Sequence, residues 1–220
     1  MIAFLWVMAT IPSSAQQWNQ SSFVPLNPYR EHAAYAGFDQ SIAIHLHLRN
    51  QWVNLPGSPR FFYAGMHLPI YLYNLGVGFD LQSASDGVLQ YRSIRASGAR
   101  VFRAAGGSLS LGARLGFLQM GIDGNAIRTP GGDYENGTIE HNDPILNTGK
   151  YTGNGFQWEA SLFFRHPLFQ TGISVLDVPS HPIELDLTRF GLKTQLMGFF
   201  QYPISLSQNV LFQPGVVVGS

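Results

Sequence analysis

The segment "SIAIHLHLR" places two histidines where they could share a metal ion. His45 and His47 are two residues apart, and alternate residues of a strand point to the same face. Zinc sites use three or four protein ligands, and no third ligand stands at a fixed spacing from this pair. The pattern therefore favours two polar residues that line a wet interior, and we expect neither a metal site nor a cofactor.

A Gly-rich segment and a Pro-rich segment hold the other candidate groups. Carboxylates of the Gly-rich segment could coordinate calcium, but the spacing of a calcium-binding loop is absent, so we interpret this segment as a solvated surface loop. Its candidate ligands are Asp123, Asp133, Glu135, Glu140, His141 and Asp143. In the segment "DVPSHPIELD" the prolines indicate a turn or rim, and no nucleophile accompanies the acid–base groups. These groups are Asp177, His181, Glu184 and Asp186. We therefore predict no catalytic residues and no enzyme.

The composition differs from that of an ordinary water-soluble domain. Charged residues make up 12% of the chain, against about 25% in soluble domains, whereas glycine (24), phenylalanine (16) and tyrosine (9) are abundant. A net charge of zero offers no basic surface to a nucleic acid. The lack of cysteine excludes disulfides and thiolate chemistry. The 220 residues suffice for one domain.

The first residues have the form of a secretory signal. A short apolar run, "IAFLWVMA", is followed by the small residues Ser13–Ala15, which fit a cleavage site before Gln16. The run is shorter than the roughly 20 residues of a transmembrane helix, and a basic region before it is missing. We predict a signal peptide at 1–15 and a single β domain at 16–220; a buried N-terminal strand is the alternative.

Period-2 alternation dominates the remaining chain and predicts β-strands. In three strong runs the apolar face carries Ile42, Ile44, Leu46 and Leu48, then Leu109, Leu111, Ala113, Leu115 and Phe117, then Phe156, Trp158, Ala160, Leu162 and Phe164. The opposite faces carry small and sparsely charged residues, among them His45, His47, Arg114, Gln157 and Glu159. Such a face suits a crowded lumen better than the outer surface of a soluble β-sandwich, which remains the alternative. In "RFFYAGMHL" we likewise place Phe62, Ala64, Met66 and Leu68 toward lipid.

Counting the weaker runs, including 190–201 and 209–218, gives roughly nine strands of bilayer-crossing length. Short and long connections alternate along the chain, which is typical of an outer-membrane barrel. Aromatic residues near strand ends predict interfacial girdles at Trp52, Phe61, Phe62, Tyr63, Tyr71, Tyr73, Tyr91, Trp158 and Tyr202. The fold prediction is therefore an all-β, antiparallel transmembrane β-barrel. Because bacterial barrels have an even number of strands, we expect that it is truncated at the C-terminus; a miscounted strand is the alternative.

Two short motifs, which follow each other along the chain, resemble those of a known family. "LNPYREHAAYAGFDQ" holds Asn27, Pro28, Ala36 and Gly37, with "YREH" as an insertion, and "RNQWVNLPGSPR" follows one strand later. The matching residues of the second motif are Arg49, Gln51, Trp52, Gly57, Pro59 and Arg60. Together they resemble the PorP/SprF family of the type IX secretion and gliding machinery of Bacteroidetes. At the second motif, an Arg beside a Trp at a strand end also suits the lipid headgroup level or the lumen rim.

The resemblance implies a role in the bacterial outer membrane rather than a reaction. The expected function is to help secrete or anchor surface cargo, and the expected partners are membrane lipids, other type IX secretion or gliding components, and a secreted cargo or surface adhesin. A passive porin for small solutes shares the predicted fold, and a barrel enzyme or a soluble binding module is less favoured. A lumen filled by residues such as Phe163 and Arg114 would favour the secretion component over the porin.

Overall fold

In a computed structural model, residues 24–135, 138–143, 146, 148–185, 188–191, 193–207 and 210–219 are described. Nine strands form one antiparallel sheet in the order β1-β2-β3-β4-β5-β6-β7-β10-β13, and two hairpins, β8–β9 and β11–β12, stand apart from it. The strands are β1 (Ala43–Asn50), β2 (Arg60–Ile70), β3 (Leu75–Asp86), β4 (Leu89–Ala104), β5 (Gly107–Asp123), β6 (Lys150–His166), β7 (Phe169–Pro179), β8 (Ile183–Leu185), β9 (Thr188–Phe190), β10 (Gln195–Gln201), β11 (Ile204–Ser207), β12 (Val210–Phe212) and β13 (Gly215–Gly219).

In the described part of the chain, the helical elements are short. The helix α1 (Pro28–Glu31) is followed by a 3-10 turn at Ala33–Tyr35, and two further 3-10 turns lie at Tyr71–Tyr73 and Gly124–Ala126. Among the residues that the structure describes, no helix is both long and apolar enough to cross a membrane.

The two faces of the sheet confirm the predicted alternation. The apolar side chains of β1 and β5 point outward, and Leu46 and Leu115 are 73% and 70% exposed. The opposite face is concave and buried, and it includes Arg114 and Glu159 at 1% exposure each. A soluble β-sandwich would cover its apolar face with a second sheet, whereas here the polar face is the covered one. The sheet is therefore a curled, barrel-type wall with its apolar side outward.

Tight turns join neighbouring strands at one end of the sheet, which we call the short-turn end. The turns between β2 and β3, β4 and β5, and β6 and β7 lie there. Asn74 (φ 51) and Ala105 (φ 47) take the left-handed conformation that such reversals need. The opposite, long-loop end carries the connections between β1 and β2 and between β5 and β6. The predicted alternation of short and long connections is only partly present, because β3 and β4 are joined by a tight turn at the long-loop end, and the connection from β10 to β13, residues 202–214, is long and lies at the short-turn end.

Three sequence expectations need correction. Phe61, Tyr63 and Tyr91 are buried on the concave face, so they belong to the lumen and not to an interfacial girdle. Trp52, Tyr71, Tyr73, Trp158 and Tyr202 are exposed. Trp158 lies in the middle of β6, opposite Leu115, so it is too far from a strand end for a girdle, which stays a prediction for the others. The run at 190–201 is not one strand, because β9 ends before β10 begins, and the run at 209–218 is divided into β12 and β13. The division falls at Pro214, which has no amide hydrogen to give to the strand ladder.

Two other expectations are not tested by the described residues. The predicted signal peptide at 1–15 lies outside them. Within them, β1 and β13 are the two edges of the nine-stranded sheet, and the C-terminal truncation stays a prediction.

Candidate functional site

The concave side of the sheet is filled by the chain's own N-terminal part. Residues 28–38, which we call the plug, comprise α1, the 3-10 turn and the residues after it, and every one of them is buried. Pro28 begins α1, where its fixed φ and missing amide hydrogen are tolerated. Gly37 has a φ of 63°, which turns the chain out of the plug toward β1. The plug packs across the sheet against β4, β5 and β6.

A layer of small residues makes room for the plug. Gly76, Ala99, Gly112 and Ser161 are successive register partners on β3, β4, β5 and β6. A Cβ atom on Gly112 would lie 2.3 Å from the amide nitrogen of Ala34. A Cβ atom on Gly76 would lie 1.8 Å from a carbonyl oxygen of the plug. Side chains at these positions would therefore occupy the space of the plug backbone.

Hydrogen bonds from the wall satisfy plug backbone groups that have no access to water. The amide of Ala34 donates to Ser161 Oγ at 2.6 Å, and the amide of Gly37 donates to His67 Nδ1 at 3.1 Å. Buried amides without a partner are costly, so these two contacts fix the position of the plug along the lumen.

Plug side chains add further polar contacts with the wall. The Tyr29 hydroxyl lies 2.9 Å from Ser97 Oγ, and His32 Nδ1 is hydrogen-bonded to Ser174 Oγ. The Tyr29 ring also lies where a Cβ atom on Gly78 would be, because that atom would approach the hydroxyl to 2.4 Å. Wall and plug are thus complementary in shape as well as in hydrogen bonding.

Four buried charges form a closed cluster on the wall beside the plug. Arg95 contacts Asp80 at 2.7 Å and Glu159 at 2.5 Å. Arg114 contacts Glu159 at 2.9 Å and Asp80 at 3.4 Å. Each arginine therefore meets both carboxylates, and the cluster has no net charge. Arg114 also donates to the backbone carbonyl oxygen of Arg30 at 2.9 Å, so the cluster is bonded directly to the plug.

The β8–β9 hairpin covers the lumen nearer the long-loop end. Ile183 and Leu185 are buried against Leu118, Met120 and Tyr91. Gly153 permits this approach, since a Cβ atom there would lie 2.4 Å from the carbonyl oxygen of Glu184. The described part of the lumen is thus filled at two levels, by the plug and by the hairpin.

The residues that could do chemistry are not assembled into a site. His181 and Glu184 are exposed on the β8–β9 hairpin and its approach, and Asp186 lies outside the described residues. His45 stacks on His67 with ring centroids 5.7 Å apart, whereas His47 contacts Phe61. Among the described residues, no group of three or more His, Cys, Asp or Glu side chains could hold a metal ion. In the 124–149 loop, His141 instead orders Tyr134, whose hydroxyl lies 3.1 Å from its Nδ1.

Comparison with known proteins decides the family. The model of the family described as type IX secretion system membrane protein PorP/SprF matches residues 13–220. The chain belongs to the PorP/SprF family. It is accordingly a component of the type IX secretion system, with a membrane location and an interaction with other components of that system. Neither a curated protein nor a solved structure matches the chain significantly.

The structure separates the PorP/SprF-like motif residues into two places. Asn27 immediately precedes the plug and Pro28 begins it, and Ala36 and Gly37 lie near its end. The sequence "YREH", which resembles an insertion in the motif, forms most of α1 and the residue after it. The first motif is therefore the plug itself, a location that sequence reasoning did not predict.

The second motif closes the connection between β1 and β2. Arg49 pairs with Phe61 one residue before the end of β1, and the amide of Gln51 donates to the carbonyl of Pro59 at 3.0 Å. Gly57 takes a φ of 75° and accepts a hydrogen bond from the Gly87 amide at 2.9 Å. Trp52 and Arg60 are exposed at this end. These residues shape the long-loop rim and are remote from the short-turn end.

Proposed function

We propose that this PorP/SprF protein is an outer-membrane barrel that helps to secrete or anchor surface cargo, and that it does so as a filled scaffold rather than as a conduit. The observation that carries the proposal is the occupied lumen. The plug is buried and bonded to the wall through Ser161, His67 and Arg114. Arg114 and Phe163 are 1% and 0% exposed, and a lumen filled at these residues supports a secretion component over a porin.

A passive porin is disfavoured by the same observation. An open channel needs a continuous wet path, yet the described lumen is filled by the plug and by the β8–β9 hairpin. Opening it would separate Ala34 from Ser161 and expose the apolar contacts of Ile183 and Leu185. The surfaces left for partners are therefore the two rims.

The two rims have different characters, and we assign them to different compartments. Outer-membrane barrels place short turns in the periplasm and long loops outside the cell. The long-loop rim, formed by residues 51–59 and 124–149, would then meet surface cargo. Two described residues of this rim contact each other across the 124–149 segment, since Thr129 Oγ1 donates to the carbonyl of His141 at 2.6 Å.

Deletion and complementation in the native cell test the proposed function. Cells that lack the protein should retain less type IX cargo on their surface, and the complemented cells should recover it, with the protein recovered in the outer-membrane fraction. The purified protein should give no steady single-channel conductance in a planar bilayer. Recovery in the soluble periplasm, normal cargo display without the protein, or a steady open pore would each contradict the proposal.

A further inference from the structure

A cavity opens at the short-turn end, on the concave side of the sheet below the plug. It has a volume of about 840 Å³. Its lining includes Arg103, Ser108, Arg165 and Gln170 from the wall, together with Gln213. The first four are consecutive register partners on β4, β5, β6 and β7, so the cavity is floored by one polar layer of the sheet.

The charge of this layer is positive. Arg165 and Arg103 both belong to the cavity lining. The carboxylate that contacts this polar layer is that of Asp39, which follows the plug. Asp39 pairs with Arg165 at 3.1 Å, where the Tyr35 hydroxyl also accepts a bond from the guanidinium at 2.9 Å. Arg103 is exposed and has no carboxylate partner among the described residues. Arg165 is therefore paired with a carboxylate from outside the cavity lining, and Arg103 is a second lining cation without such a partner among the described residues.

An apolar ribbon stands beside the mouth of the cavity. The β11–β12 hairpin continues β10 and β13 beyond Pro203 and Pro214, where the Tyr202 amide still donates to the Pro214 carbonyl at 3.0 Å. Every described residue of the hairpin strands is exposed, including Leu206 at 65% and Phe212 at 54%. Exposed apolar surface of this kind is typical of a contact with a protein or with a membrane, and the position of the cations decides between the two.

We propose that the cavity and the ribbon together dock an acidic peptide segment of another type IX secretion component. A carboxylate of the segment binds Arg103, and its apolar side chains pack on the ribbon, in the manner of a charged and apolar interface. The inference rests on the proposed function, since it supplies the partner through which the filled scaffold joins the machinery.

The position of the cations favours a peptide over a lipid. Arg103 shares the inward face of β4 with Ala99 and Arg95, both of which are 5% exposed. Lipid meets the opposite, apolar face of the wall. A headgroup would have to leave the bilayer and enter the lumen to reach Arg103, whereas a peptide in the aqueous compartment meets the cavity mouth directly.

Crosslinking from the cavity tests the proposal in intact cells. The chain has no cysteine, so Gln213→Cys provides a single thiol for a benzophenone probe. We expect a discrete adduct with a type IX component, joined through a segment of net negative charge, whose yield falls as salt is raised. Arg103→Glu should lower the yield about tenfold, because like charges then face each other, and Arg103→Gln should lower it less.

Arg92→Glu is the matched control, because Arg92 is an exposed arginine on the same strand but near the long-loop end. Its yield should stay unchanged. The absence of an adduct overturns the proposal. So does an adduct with lipid, with a second copy of this chain, or with a neutral or basic segment. An adduct yield that Arg103→Glu leaves unchanged also overturns it. Altered gel mobility of the unheated Arg103 variants would show that these variants misfold. In that case the proposal is tested on the Gln213→Cys protein without an Arg103 change, by the salt dependence of its adduct yield and by the net charge of the crosslinked segment.

Cargo display, measured in the same cells, separates this inference from the proposed function. If Arg103→Glu removes the adduct while cargo display stays normal, the docking site stands and the proposed role in display fails. If the Gln213→Cys protein gives no adduct while deletion abolishes display, the docking site fails and the proposed function stands.

Discussion

Replacing Gly112 with alanine tests how closely the plug is seated against the wall. The added Cβ atom would lie 2.3 Å from the amide nitrogen and 2.4 Å from the Cα atom of Ala34. Carbon atoms in good contact are about 3.5–4.0 Å apart, so the plug backbone must retreat by roughly 1 Å. That movement lengthens the 2.6 Å bond from the Ala34 amide to Ser161 Oγ.

The expected cost combines two effects. Overpacking of a filled interior costs about 1–3 kcal/mol, and an orphaned buried amide costs about 1–3 kcal/mol. The seated plug should therefore lose at least about 2 kcal/mol relative to the displaced one, which corresponds to a roughly 30-fold larger population of the displaced state.

Trypsin cleavage after Arg30 reports that population. Arg30 is 8% exposed in the seated plug, and cleavage of a transiently opened segment tracks its equilibrium population when reclosing is fast. Gly112→Ala should raise the cleavage rate at this bond about 30-fold, measured by mass spectrometry on the folded protein. Gly98→Ala on β4 is the control, since a Cβ atom there meets nothing within 4 Å. Equal rates in the wild type and Gly112→Ala, or equal increases in both variants, would refute the close seating of the plug.

Two further substitutions test the charge cluster and the outward face. Glu159→Leu removes one carboxylate partner from both Arg95 and Arg114, so it should destabilise the folded protein by about 3–5 kcal/mol. The measurement is the midpoint of urea unfolding, which should fall. An unchanged midpoint would contradict the role of the cluster. Leu115→Arg, in the middle of β5 at 70% exposure, should cost about 2–4 kcal/mol if that face meets lipid. Leu72→Arg in the turn, at 80% exposure, should cost little, and equal effects of both in detergent-free bilayers would argue against a lipid face.

The fold was predictable because the wall repeats one physical rule. Each strand of the wall alternates apolar and polar residues, and the pleat converts that alternation into two faces. Leu111 and Leu115 therefore point outward, and Arg114 inward, as their positions in the run indicate. The rule does not depend on long-range contacts, so a single sequence sufficed for the orientation of both faces, whereas the runs 190–201 and 209–218 were wrongly predicted as single strands.

The aromatic residues at strand ends were harder to place, because an aromatic ring suits a lipid interface and a lumen equally well. The register decides between the two. Tyr63 shares a face with His67, and both have 0% exposure, whereas Tyr71 lies in a turn and is exposed. Period-2 counting from His67 would have placed Tyr63 inside, and this signal outweighs the aromatic character of the residue.

The plug was not predictable from its own residues, because nothing in "PYREHAAYAGF" alternates or marks a lumen. The signal lies elsewhere in the chain, in the small residues Gly76, Gly112 and Ser161 of the inward faces, whose space requires an occupant. These residues are far apart in sequence and meet only through the register of the sheet. Recognising them as one layer therefore needs the strand pairing, which the sequence patterns do not supply.

The charge cluster and the plug depend on each other. Arg114 carries donors to two carboxylates and to plug carbonyls, and without the plug its remaining donors would face an empty lumen. Without Arg114 the carbonyl of Arg30 would lose that partner inside a buried segment. A neutral lumen wall could hold a plug by shape alone, but it would not fix which carbonyls face which strand. The buried ions therefore specify the register of the plug. A double substitution of Arg114 and Gly112 should destabilise the seated plug by less than the sum of the two single free-energy changes, because both residues act on the same short segment.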